Sequence, residues 1–160
     1  MLNAQMEHLI LTSTWMDERK VDWCTFARAD GKEVTIGFTS EEFVSLKRQY
    51  SLDLQFICRL AIEQLEQWPT SSQPIQIEGK TFHRLMKVLK EWDYRLENVK
   101  ESGAGIDVDD AIDCLSDELN RRHGEGWEYW FTERYAPETI RGSIAGSRYV
   151  FRRKKYTLSR

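Results

Sequence analysis

The chain lacks any apolar run near the roughly 18 residues that a bilayer-spanning helix needs, so membrane spans of that kind are not expected. Residues 1–7 also lack a basic segment leading into an apolar stretch. Leu9-Ile10-Leu11 is far shorter than the roughly 7–15 residues of a signal-peptide core, and export by that route is not expected. Cysteine is scarce and unpaired in pattern: Cys24, Cys58 and Cys114 are odd in number and far apart. That spacing suits reduced thiols in a cytoplasm better than a disulfide framework. No two of the cysteines and His8, His83 and His123 form the close pair, two to five residues apart, that zinc sites usually carry, so no metal is expected.

Catalytic patterns are missing too. Serine and histidine occur without a nucleophile elbow or other recognised spacing. Gly103-Ala104-Gly105 precedes a helix start, but Asp107, Asp109 and Asp110 there would repel a phosphate. The same acids lack the glycine and alternate spacing of a cation loop and read as a favourable first helical turn. Neither an enzymatic activity nor a cofactor is expected. The last absence is of acids: from Arg141 onward there are seven cations and no Asp or Glu, leaving 16 of the 23 cations against all 26 acids in the rest of the chain. The net charge of -3 therefore hides an acidic body and a basic end.

What is present suits a folded protein. Of 160 residues, 41% are hydrophobic and 12% aromatic, too many for wholesale disorder, and the length supports a real core. His8 to Thr14 reads as a first strand and Asp17-Glu18-Arg19-Lys20 as a turn. Asp30-Gly31 joins Trp23–Arg28 to the alternating Val34, Ile36 and Phe38 as a hairpin. Thr39-Ser40-Glu41-Glu42 fits a capping box before a short helix with Phe43 and Leu46 inward. Ser51 is expected to cap a second helix. Its apolar stripe is Leu54, Ile57, Ala61, Leu65 and Trp68, and its wet side includes Asp53, Gln55, Arg59 and Glu63. Pro69 to Pro74 reads as a linker between two units, 1–74 and 75–160.

In the second unit Thr81 is a candidate cap for a helix carrying Phe82, Leu85, Met86 and Leu89. A strand is expected from Trp92 to Lys100 and a helix from about Asp107 to Arg122. Trp127, Tyr129 and Phe131 then alternate, with Trp130 opposite, and a last strand runs from Arg148 to Lys154. The predicted class is α+β: an N-terminal β-hairpin with two helices, then a β-α-β-β unit.

Over residues 90–156, Glu91-Trp92-Asp93-Tyr94-Arg95-Leu96, the leucine-rich helix at 115–120, Gly126-Trp127-Glu128 and Tyr149-Val150-Phe151-Arg152-Arg153 follow in order. This stretch resembles a family of very small bacterial domains of unknown function. The resemblance implies the β-α-β-β unit and a bacterial or phage setting, and brings no catalytic residue with it.

Two surfaces are candidates for interaction. Aromatics crowd residues 127–135, and Trp130 and Tyr135 would suit a protein interface if one sheet face is bare. In the basic end, Arg148, Arg152, Arg153, Lys154 and Lys155 interleave with aromatics, as single-stranded nucleic acid requires, or coat an edge strand against aggregation. The leading expectation is a non-enzymatic cytoplasmic protein-interaction or regulatory module that binds its own copy. The alternatives are nucleic-acid binding through the basic strand and a sensor of a small anionic ligand near the 134–147 loop.

Overall fold

The computed structural model describes residues 9–69, 73–98, 119–121, 124, 126–135 and 147–155. Strands β1 (Ile10–Met16), β2 (Val21–Ala27) and β3 (Glu33–Thr39) form an antiparallel meander. The first turn is built on Asp17, whose carboxylate accepts from the Trp23 indole at 2.9 Å and from the amides of Arg19 and Val21 at 2.9 and 3.0 Å. These donors, the indole first, hold its acidity below the usual aspartate value. The second turn uses Gly31 at φ 83°, open to glycine without steric cost.

Thr39 caps α1 (Ser40–Tyr50): its hydroxyl accepts from the Glu42 amide at 3.2 Å and donates to the Glu42 carboxylate at 2.7 Å. Ser51, expected to cap the next helix, instead ends α1 in the left-handed region at φ 56°. Asp53 caps α2 (Leu54–Glu63), accepting from the Phe56 amide at 3.1 Å. An aspartate one residue before a helix is the stronger competitor for its free amides. Helix α2 stops at Glu63, short of the expected Trp68 and before Pro69 is reached.

The short strand β4 (Ile75–Gln76) precedes α3 (Gly79–Glu91), which runs straight into β5 (Trp92–Asn98). Thr81 lies inside the first turn of α3, and Glu78 holds the cap position with no side-chain bond. The helix expected over 107–122 falls outside the described residues except for Leu119–Arg121, which are helical with Leu119 buried. Strands β6 (Glu128–Tyr135) and β7 (Ser147–Lys154) complete the α+β architecture.

All seven described strands belong to one mixed sheet, in the order β4-β3-β2-β1-β6-β7-β5. Strands from before and after Pro69–Pro74 thus share a sheet. They meet at two parallel joins of two residue pairs each: β3 with β4 through Ile36↔Ile75 and Gly37↔Gln76, and β1 with β6 through Ile10↔Arg134 and Leu11↔Tyr135. Helix α1 packs on β2 and β3, α2 on β2, β3 and α3, and α3 on β5. The main core lies between helices and sheet: Leu11, Phe26, Ile36 and Phe38 meet Phe56, Leu60, Leu85 and Leu89, with Phe131 and Val150 from the far half. On the opposite face Trp23 covers Gly37 so closely that any Cβ there would fall 2.4 Å from the indole. Thr25 and Thr35 hydrogen-bond beside it at 3.0 Å.

Strand β6 departs from simple alternation. Tyr129 stands opposite Phe151 and Phe131 opposite Val150, so Trp130 is an extra residue in a bulge. Trp130 and Phe131 therefore both enter the main core, where the sequence pattern sets them on opposite faces. Every later residue of β6 is switched to the other side, and Glu133 comes to face the helices.

Candidate functional site

That switch places Glu133 beside a second charge that periodicity assigns to water. Helix α2 carries Arg59 inside Phe56-Ile57-Cys58-Arg59-Leu60-Ala61-Ile62, a segment buried on all sides, and Arg59 is itself 0% exposed. Its Nε lies 3.1 Å from Glu133 Oε2. One terminal nitrogen donates to the Leu9 carbonyl at 2.7 Å and the other to the Arg134 carbonyl at 2.8 Å. Its guanidinium also stacks 4.7 Å from the Phe26 ring centre. Leu9 immediately precedes the short parallel pairing of β1 with β6, and Arg134 belongs to it, so Arg59 bridges the two strands at that brief ladder.

The chain of charges continues outward. Glu133 Oε1 accepts from Arg148 Nε at 2.7 Å. Arg148 grips Asp53 with both terminal nitrogens, at 2.5 and 3.1 Å. The series Arg59–Glu133–Arg148–Asp53 starts on α2, passes through β6 and β7 and ends at the residue that caps α2. It alternates in sign, and its first two members, Arg59 and Glu133, are fully buried. Such a chain fixes α2 to the C-terminal strands. Sequence reading missed Arg59, Glu133 and Asp53 as partners. The available signal was the apolar residues on both sides of Arg59, since a helix apolar all round is a buried one.

Three of the other basic residues, Arg152, Arg153 and Lys155, also meet protein groups. Strand β7 lies between β6 and β5 and is not an edge, so its cations do not serve as edge protection. Arg152 sits 4.5 Å from the ring centres of both Trp92 and Trp130. Arg153 lies 4.3 Å over Trp127 and 3.7 Å from Asp93. Lys155 donates to the Leu89 carbonyl at 3.0 Å and approaches Asp93 at 3.8 Å. Lys154 is exposed. Trp130, a candidate for an interface if one sheet face is bare, is 6% exposed and belongs to the core. The side chain of Tyr135 and residues 136–146 of the proposed sensor loop lie outside the described residues.

Near Arg152, burial raises the Glu63 carboxyl above its ordinary value, with Arg152 opposing. Burial, then the Glu63 charge, pushes the Tyr94 phenol above its usual range. Cys58, buried beside Cys24 and donating to the Ile36 carbonyl, has its thiol pushed well up by desolvation, which disfavours the thiolate that a nucleophile needs. Among the described residues no three His, Cys, Asp or Glu side chains cluster as a metal set would, and no helix is long and apolar enough to cross a membrane.

Among the described residues the large exposed apolar side chains are Ile10, Trp15 and Met16 on β1 and Val44 on α1. Val44 lines a shallow open depression with Ser40, Glu41 and Arg48. At the sheet margins β4 contributes only two residues, whereas β5 contributes seven and pairs with β7 alone among the described strands. No family model, curated protein or solved structure matches the chain.

Proposed function

We propose that this chain is a non-enzymatic cytoplasmic protein-interaction or regulatory module, of bacterial or phage type, whose first partner is its own copy. The observation that carries the reading is the seven-residue edge strand β5, with no described strand on its outer side. An edge of that length offers unpaired backbone donors and acceptors to another chain. The engagement of Arg148, Arg152, Arg153 and Lys155 by protein groups supports this reading over nucleic-acid binding, which needs cations directed at phosphate. The resemblance of residues 90–156 to small bacterial domains adds the setting and no activity.

Light scattering coupled to size exclusion tests the reading across a concentration series. The expected mass rises from the 18.9 kDa of one chain toward twice that value. A strict monomer at the highest concentration overturns it.

A further inference from the structure

The edge of β5 carries more information than its length. In the β5–β7 ladder Trp92 stands opposite Lys154, and the Lys155 amide donates to the Glu91 carbonyl at 2.8 Å. In an antiparallel pair hydrogen-bonded and non-hydrogen-bonded positions alternate. Residues 91, 93, 95 and 97 therefore bond to β7, and Trp92, Tyr94 and Leu96 turn their amides and carbonyls to the outer side. Tyr94 and Leu96 pack on the main core, so Asp93, Arg95 and Glu97 line the opposite face. A strand added at this edge would meet those three charges in non-hydrogen-bonded pairs, where facing Cα atoms come within about 4.5 Å.

The order acid, base, acid discriminates among self-pairings. Centred on Arg95, two copies would oppose Arg95 to Arg95 and Asp93 to Glu97, like charge on like. Centred on Tyr94, they would match Asp93 with Arg95 but oppose Glu91 to Glu97. Centred on Leu96, Arg95 faces Glu97 of the other copy twice, and Leu96 faces its own equivalent. Arg95 and Glu97 already lie 3.0 Å apart within one chain, with 51% and 31% of their side chains exposed. Pairing would close them into a four-charge ring of alternating sign.

We infer that a second copy of this chain adds antiparallel to β5 about a twofold axis at Leu96, joining both sheets into one. The two-residue β4 at the opposite margin offers no comparable ladder. This inference rests on the self-association proposed above and names its surface.

The test uses the full chain and four forms: wild type, Arg95→Glu, Glu97→Arg and the double reversal, each checked for native far-UV ellipticity. Sedimentation velocity over a dilution series gives the dimer dissociation constant. Each single reversal places like charges opposite one another twice and is expected to weaken the dimer by roughly tenfold or more. The double reversal restores the alternating ring and with it wild-type affinity. A monomeric wild type overturns both this inference and the self-association reading, and leaves the edge to an extended segment of another protein. A wild-type dimer indifferent to the single reversals overturns the β5 interface alone. Tighter association of Glu97→Arg overturns the Leu96 register in favour of one centred on Tyr94.

Discussion

Taking a guanidinium out of water costs several kcal/mol unless its donors and charge are both met. Arg59 meets that demand with a carboxylate, two backbone carbonyls and an aromatic ring. Removing one member leaves the other charged and buried, so Glu133→Leu and Arg59→Met are each expected to cost about 3–5 kcal/mol. The double variant should cost less than the sum of the two by more than about 1 kcal/mol, because it leaves no orphan charge. Urea denaturation of the four forms measures this, and additivity would show that the two side chains act independently. On a helical wheel Arg59 takes the solvent side, because periodicity alone counts every charge as wet. What it omits is a partner 74 positions away, brought round by a bulge. Asp53, by contrast, carries its capping role in its residue type, and Ser51 competes for that role in the sequence because both types suit it.

At the scale of elements, regular alternation and helical spacing were legible wherever they were undisturbed. The Asp30-Gly31 turn, β3, α1 with its threonine cap and the apolar stripe of α3 follow directly from local pattern. Strand β6 did not, because one inserted residue reverses the facing of all that follow, and nothing in Trp130-Phe131 marks the insertion. The C-terminal end of α2 carries a consequence for pH. There Glu63 is held above its ordinary pKa by burial, so between the ordinary and the raised value the folded chain binds more protons than the unfolded one. Stability from this group is therefore lost as pH rises through that window. Glu63→Gln removes the penalty. The variant should be more stable than wild type at pH 7.5, with the difference shrinking toward zero below the ordinary glutamate value. Denaturation midpoints at pH 7.5 and 4 test it, and a difference that grows on acidification would contradict the sign.

Over the whole molecule, the Pro69–Pro74 segment invites a division that the hydrogen bonding crosses. The shared sheet and the buried Arg59–Glu133 pair couple residues from both sides of it. A single cooperative transition is expected, with tryptophan fluorescence and far-UV ellipticity giving one common midpoint in urea. Two separated midpoints would show that the halves unfold on their own. The strands themselves were largely readable, but their order was not, since pairing between distant segments leaves no local trace in composition.

The parallel join between β1 and β6 sets a timetable for biosynthesis. Ile10 and its neighbour Arg134 are 124 positions apart, so a ribosome adding about 5–20 residues per second separates their synthesis by roughly 6–25 s. Once made, the nascent β1–β3 meander exposes an unpaired margin, and Arg59 lacks its carboxylate, until β6 follows. The N-terminal strands must wait for the late ones, and that delay is when a co-translational chaperone would find the most to hold.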